Sequence, residues 1–387
     1  MSIPRPQPLW TAKVFYFLYF GAAACLGPFL ALYYRDLGFS GGQIGLLAGL
    51  SPLVTLIAAS FWSVAADATR RHRAVLLGAL AGMGGSVALL SVSTAFLAII
   101  PCIILFAFFA APVLALVDAS VIALLGERRD LYGRQRLWGA VGWGVAGPVA
   151  GGLVGLYGIR AAFPLYLLVL SLVLTCSWFL KVVKSERSQP FWNGLRSLFA
   201  DRRWFAFLLV VFLGGTGLSI VTNYLFLYMD EMHAGAGLMG FALSVATLSE
   251  IPALYFSGQL LRRWGARGVM ILGLAAYVLR AGGYAAATQP WQVVVLQLLH
   301  GLTFSLMWAA GVSFAGEMAP RGLEATAQGV FSSTFMGLGG ISGALLGGLL
   351  LDHFGGAGVF GMSAGIVLTG LLMFVMAGKM MRMASRA

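Results

Sequence analysis

The chain has 387 residues, 60% of them hydrophobic and only 10% charged, with a formal net charge of +12 and a mean hydropathy of +0.90. A soluble globule would have far too little polar surface to cover itself with that composition, so the expected solvent is a lipid bilayer. The positive charge is accordingly read as a topology signal and not as a nucleic-acid footprint, and no nucleic-acid partner is expected.

Apolar runs long enough to cross about 30 Å of hydrocarbon as helices fall near 14–34, 43–66, 74–93, 96–124, 136–157, 160–181, 204–229, 237–261, 268–287, 291–316, 325–350 and 357–378. The first run is too long for a removed signal peptide and lacks a small-residue cleavage site, so it reads as a retained span. Of the 25 Lys and Arg residues, all but Arg35, Arg160 and Arg280 fall in the loops and tails of one side. Basic loops mark the cytoplasmic face. An even number of spans therefore places both termini in the cytoplasm, and the expected location is the inner, or plasma, membrane. Cys25, Cys102 and Cys176 are odd in number and all lie inside spans, which implies neither a disulfide framework nor a metal site.

The chain is doubled. Gly42-Gln-Ile-Gly-Leu opens the second span and Gly237-Leu-Met-Gly-Phe opens the eighth, and nearly the same offset carries Gly147, Gly151 and Gly152 onto Gly343, Gly347 and Gly348. Two six-span halves, 1–181 and 204–387, follow, joined by a polar linker over 182–203 that contains Lys184, Arg187, Pro190, Arg196, Arg202 and Arg203. Paired halves with binding groups near the midplane are the build of a secondary transporter. No Gly-rich strand-to-helix turn ends in Lys-Ser or Lys-Thr, so any energy must come from an ion gradient.

A charged side chain at the bilayer centre costs about 2.5–3.5 kcal/mol on insertion scales, and an ionisable residue kept there is a functional candidate by default. Arg280 sits in the middle of an apolar run, and Asp118, Glu250 and His300 share its situation. A carboxylate and a guanidinium can neutralise one another in that setting and still hydrogen-bond a polar ligand. A buried His or Glu can titrate near ambient pH, as a proton carrier must. Asn223, Tyr224 and Tyr228 in the seventh span, and Thr303, Phe304 and Trp308 in the tenth, supply hydrogen bonds and apolar walls of the kind ligand sites use. Each alone is more often core packing. Gly-rich faces are read as close helix contacts.

Several motifs carry a resemblance. Asp67-Ala-Thr-Arg70-Arg71-His72-Arg73 after the second span, with a degenerate copy around Arg262, Arg263 and Arg267, resembles the signature of the major facilitator superfamily. The family pattern has Gly where Ser63 and Arg70 stand, and an acid where Arg262 stands. The resemblance implies that Asp67, Arg70, Arg71, Arg73 and Arg262 pin helix ends and set the balance between conformations; the plainer reading is that the arginines only enforce orientation. Asp118, followed by Gly133-Arg134-Gln-Arg136-Leu-Trp138-Gly139-Ala-Val-Gly142-Trp143, is similar to the lactose permease branch. The likeness implies an interhelical pair of Asp118 with Arg136 in the substrate cavity and stacking of the substrate on Trp143. The plainer alternative is a structural ion pair with Trp143 facing lipid. Glu250, Arg280 and His300 repeat that branch's acid, Arg and His, while Thr303, Gln297 and Met336 stand where it has further charged groups.

Gly147-Pro148-Val-Ala-Gly151-Gly152 also resembles a signature of drug and proton antiporters, which leaves export open. The expected protein is thus an all-α membrane protein of twelve transmembrane helices in two pseudo-symmetric six-helix bundles. Asp118, Arg136, Trp143, Asn223, Tyr224, Tyr228 and Trp308 are its expected substrate contacts, and Glu250, Arg280 and His300 its proton-coupling groups. The expected activity is symport of a small polar organic molecule with protons by alternating access, in a monomer without cofactor or metal. Proton-coupled export, uncoupled diffusion and, remotely, a non-transporting receptor are the alternatives. An enzyme is not expected, since His300 lacks a clustered nucleophile or metal-ligand set.

Overall fold

A computed structural model describes residues 9–69, 71–128, 131–180, 182, 202–320 and 323–384, apart from the side chains at 63, 67, 202, 325 and 378–384. The expected linker lies almost wholly outside the described residues. Twelve long helices are present among them: α1 (Trp10–Asp36), α2 (Gly41–Thr69), α3 (His72–Val92), α4 (Phe96–Leu125), α5 (Tyr132–Tyr157), α6 (Ile159–Phe179), α7 (Arg202–Glu231), α8 (236–264), α9 (266–286), α10 (Pro290–Met318), α11 (324–354) and α12 (356–384). Each expected span coincides with one of them. A backbone in hydrocarbon must satisfy its own polar groups, which leaves the helix as the only local solution for such runs.

Two of the links are single residues. Gly265 (φ 67°, ψ 168°) joins α8 to α9, and Gly355 (φ 64°, ψ −179°) joins α11 to α12. That backbone region is essentially closed to side-chain-bearing residues.

The first six helices form one bundle and the last six the other. The two bundles meet along two seams, both at the end opposite the Arg-rich loops. In the α2–α11 seam a Cβ at Gly45 would stand 2.6 Å from the Ala344 carbonyl oxygen; in the α5–α8 seam one at Gly240 would stand 2.3 Å from that of Gly147. Gly45 and Gly240 are repeat-related, so the same backbone-to-backbone approach is used twice. Small residues let membrane helices close to this distance, where dispersion replaces the missing hydrophobic drive. Toward the Arg-rich end, the α5–α8 contact runs through Gly144 against Thr247, with the Ser244 hydroxyl donating to the Gly144 carbonyl at 2.5 Å.

Polar locks reinforce this end. Arg35 at the end of α1 bonds the Leu227 carbonyl (2.7 Å) and Asp230 (3.1 Å) at the end of α7, with Glu231 at 3.6 Å. The carboxylate of Asp352 on α11 accepts the N–H groups of Gly41 (2.6 Å) and Gly42 (2.8 Å), capping the start of α2 across the seam. A negative charge at a helix N-terminus is favourable on both hydrogen-bond and dipole grounds.

At the Arg-rich end each bundle ties its third helix to its sixth. Arg73 donates to the Trp178 carbonyl and lies 5.4 Å over its indole, while Arg267 donates to the Phe374 carbonyl at 2.7 Å and lies 5.2 Å over its ring. Both cations thus bond a carbonyl and cover an aromatic ring of the sixth helix of their own bundle, Arg73 in the last turn of α6 and Arg267 within α12. Arg262 is exposed on α8 and Arg71 is exposed just before α3. Arg70 and the Asp67 side chain lie outside the described residues.

Two stability outcomes follow from these joints. Gly355→Ala forces a methyl-bearing residue into the glycine-only region and should cost about 1–3 kcal/mol, seen as a lower melting temperature in detergent, while Gly235→Ala, at φ −68°, should leave it unchanged. Arg267→Ala removes a charge-assisted bond worth about 1.5–3 kcal/mol and should lower the melting temperature more than Arg262→Ala; equal effects would contradict the clamp.

Candidate functional site

Arg280 on α9 is 1% exposed and has the densest set of partners in the membrane interior. Its Nε donates to the Tyr284 hydroxyl (2.7 Å), one terminal nitrogen reaches Thr303 Oγ1 (2.9 Å) and His300 Nδ1 (2.9 Å), and the other donates to Gln297 Oε1, which also accepts from Tyr284 at 2.9 Å. His300 Nε2 lies 3.0 Å from Glu250 Oε1, with the two side chains 19% and 17% exposed. Three helices, α8, α9 and α10, are thereby joined by one chain of bonds.

The chain fixes a tautomer. A guanidinium only donates, so Nδ1 of His300 must accept; the ring proton then sits on Nε2 and is donated to Glu250. A neutral imidazole therefore lies between the Glu250 carboxyl group and the Arg280 cation. A second proton on the imidazole could enter only at Nδ1, at the expense of the Arg280 bond. Glu250 is the open acceptor.

Glu250 also has a particular height. It lies one turn beyond Thr247, the contact with Gly144 on α5, toward the Arg-rich end of the molecule. Trp143, beside Gly144, is half-buried at the same level.

The first bundle holds the other charged group. Asp118 on α4 accepts from the Tyr16 hydroxyl of α1 at 2.5 Å, and Tyr132 adjoins it. Arg136 on α5 lies within electrostatic reach of Asp118, its guanidinium 4.1 Å from the centre of the Phe20 ring and 5.4 Å from that of Tyr16. Sequence reasoning anticipated a direct pair of Asp118 with Arg136. Phenols supply the close partners of the carboxylate, because two tyrosines facing it across the helix interface can reach it with O–H donors. Among the described residues, no acceptor lies within hydrogen-bond distance of the Arg136 guanidinium.

A cavity of about 290 Å³ lies between the bundles, bounded by α1, α2, α4, α7 and α11. Asn223 lines it with Ser51, Ser219, Thr222 and Tyr34. Three of these turn their donors to backbone or to one another, Asn223 Nδ2 to Ser219, Ser219 Oγ to the Gly340 carbonyl at 2.7 Å and Thr222 Oγ1 to the Leu218 carbonyl at 2.9 Å, whereas the buried Tyr34 hydroxyl has no partner among the described residues. Asp118, Arg136, Trp143, Glu250, Arg280 and His300 do not border this cavity.

Tyr224 and Tyr228, also anticipated as ligand contacts, depart from that reading. They are 0% and 3% exposed; Tyr224 donates to the Ala344 carbonyl and Tyr228 to those of Tyr284 (2.7 Å) and Ala287 (3.1 Å). A buried phenol needs an acceptor: on α11 the absence of a side chain at Gly347 lets Tyr224 reach the Ala344 carbonyl, and Tyr228 finds the carbonyls at the end of α9. Trp308 is half-buried against Phe331 and Phe335 at 5.4 and 6.1 Å between ring centres, in an aromatic cluster of the second bundle. Sequence reasoning missed Tyr16, which is 102 residues from Asp118, and Tyr284; the latter sits four residues after Arg280, a spacing that does place it on the same helical face.

The chain matches the MFS_1 like family over residues 9–362. It is 26% identical over 375 residues to the maltose permease of Geobacillus stearothermophilus, covering 96% of this chain and 95% of that protein. It is also 26% identical to the probable 3-phenylpropionic acid transporter of Escherichia coli (strain K12), covering 92% and 95%. The crystal structure of the nucleoside transporter NupG superposes with a TM-score of 0.84 at 20% identity, over 95% of this chain and 98% of that one, which shows a shared fold. Twelve apolar helices in two bundles, a doubled sequence and the extent of these matches lead to one assignment: the chain belongs to the MFS_1 like family, multi-pass membrane transporters of the major facilitator superfamily.

Proposed function

We propose that this protein is a proton-coupled symporter that carries a small organic solute by alternating access, with the Arg-rich end in the cytoplasm. The observation that carries this reading is the Glu250–His300–Arg280 chain, a half-buried carboxyl group wired through a neutral imidazole to a fully buried cation, one turn beyond the α5–α8 contact of Gly144 with Thr247. On this reading the two seams close the outer end, and Glu250 faces the side from which its proton leaves.

Protonation of Glu250 changes the charge of the cluster by one. The Arg280 cation keeps its bonds to Tyr284, Thr303 and Gln297 but loses its counter-charge, which makes the loaded protein different in energy from the empty one. Coupling requires such a difference between the two conformations. Asp118, Arg136 and Trp143 hold the solute from the other bundle, and Asn223 contributes from the cavity wall. Asp67, Arg70, Arg71, Arg73 and Arg262 act on the balance of states through the helix ends they border. Protons, the solute and the bilayer are the partners, and the monomer is the working unit. The relatives' own solutes, maltose and 3-phenylpropionic acid, and the nucleoside of the structural neighbour bound the class.

The test uses purified protein in liposomes with whichever of maltose, uridine and 3-phenylpropionate the wild type exchanges in counterflow. Glu250→Gln should lower accumulation driven by an inward proton gradient at least tenfold while counterflow persists. His300→Ala should do likewise. Gradient-driven accumulation at the wild-type level in both variants would exclude the assignment.

Asp352→Ala should weaken the outer closure. With Thr222→Cys in the cavity wall as reporter, and the native cysteines buried or half-buried, a membrane-impermeant thiol reagent added from the outer side should react several-fold faster than in the Asp352 parent. An unchanged rate would count against the lock.

A further inference from the structure

A proline inside a helix leaves the carbonyl four residues earlier without its N–H partner. In two places this protein offers such a carbonyl to a neighbouring helix. Pro112 on α4 frees the Phe108 carbonyl, which accepts from the Trp62 indole of α2 at 2.7 Å. Pro148 on α5 frees the Gly144 carbonyl, which accepts from the Ser244 hydroxyl of α8 at 2.5 Å, across the seam between the bundles. In both, a side chain from another helix supplies the donor that the proline withholds.

Pro52 on α2 frees the Ala48 carbonyl in the same way. Ala48, Ser51 and Pro52 all line the cavity between the bundles, and a helical carbonyl points along the axis toward the residue four positions on, so the freed oxygen lies on the cavity face. No side-chain donor reaches it among the described residues. Asn223 lines the same cavity from α7; its amide nitrogen is given to Ser219, which leaves Oδ1 open. The Tyr34 hydroxyl on α1 is a buried donor without a partner. No charged side chain lines the cavity. A charged ligand group would therefore lie there without a counter-ion, and a group that only accepts would leave the Ala48 and Asn223 oxygens unpaired.

We propose that this wall recognises an uncharged head group carrying N–H donors beside a carbonyl, a carboxamide or a urea. Its N–H groups donate to the Ala48 carbonyl and to Asn223 Oδ1, and its carbonyl accepts from Tyr34. The site is separate from Asp118, Arg136 and Trp143, which do not border the cavity. The proposal rests on the transporter reading above, in which Asn223 helps to hold the solute, and adds a main-chain acceptor and the chemistry of the solute end that meets it. Because the partners come from both bundles, a molecule there makes all its bonds only while the outer end is closed, the kind of preference between conformations that alternating access needs.

The experiment uses purified full-length protein carrying Thr222→Cys in the cavity wall, and measures how four probes of equal size, butyramide, butyrate, butylammonium and 2-pentanone, slow its reaction with a maleimide. Butyramide should protect at concentrations at least fivefold lower than any of the other three. Pro52→Ala returns an N–H to the Ala48 carbonyl and should weaken protection by the amide about tenfold, whereas Pro101→Ala, the same change on α4 away from the cavity, should leave it unchanged. Tyr34→Phe should weaken it about fivefold and, since the hydroxyl bonds nothing in the protein, should not lower the melting temperature without ligand. Should Pro52→Ala fail to fold, the order of the four probes and Tyr34→Phe still decide. Equal protection by the ketone or by either ion, no protection by the amide, or full protection of both Pro52→Ala and Tyr34→Phe overturns the inference, and the transporter reading then stands or falls on the accumulation assay of Glu250→Gln and His300→Ala. The predicted order of probes together with undiminished accumulation in those two variants leaves this site and removes the proton-coupled reading.

Discussion

Taking a charge into hydrocarbon is tolerable only where the protein itself supplies the partners that water would have supplied, and each functional feature of this molecule traces to that requirement. Arg280 collects four acceptors from α9 and α10. Satisfying it fixes the rotation of those helices about their axes, and the imidazole on its far side then draws in Glu250 from α8. Asp118 obtains its donors from α1 and α5. In each bundle, the helices that approach the other bundle are therefore oriented by a polar cluster as well as by packing, and the residues able to meet solute or proton are set by the same bonds that hold the helices in place.

The two clusters are organised differently, and on the proposed reading this difference underlies a division of labour between them. The second bundle's cluster is nearly closed: four of the five N–H groups of its cation have acceptors, and on the proposed reading a proton enters at Glu250. The first bundle's cluster is open, since tyrosines answer Asp118 and the Arg136 fork is left for something else. A saturated network is stiff and a half-saturated one is receptive. Proton handling suits the former, ligand capture the latter.

Much of this was legible in the chain itself. The bilayer imposes a length on every apolar run, so each span could be placed, and the repeat offset identified the equivalent glycines at both seams. Arg280, Glu250 and His300 announce themselves because charge in an apolar run is costly. Their order along the bond chain was not legible, since Gln297 and Thr303, read in sequence as losses from a family pattern, turn out to be direct acceptors for Arg280. Tyr16 carries no local sign of its tie to Asp118, a contact between residues 102 apart. Tyr224 and Tyr228 were misplaced for a related reason: the sequence shows that a phenol lies in a helix but not which carbonyl a neighbouring glycine face will bring to it. Arg35 is the reverse case. Its partner Asp230 stands 195 residues on, the repeat offset itself, so the two are symmetry equivalents that face each other across the pseudo-twofold axis.

That symmetry is broken in one place. The repeat carries Asp352 onto Leu156, an exposed side chain at the rim of the α5–α8 seam. One seam is thus fastened by a carboxylate on two backbone amides and the other by little more than apposed glycine backbone and a serine hydroxyl. The two sides are therefore fastened unequally, and under the alternating access proposed above the α2–α11 side, held by the amides at the head of α2, would serve as the hinge of an opening that begins along the opposite edge.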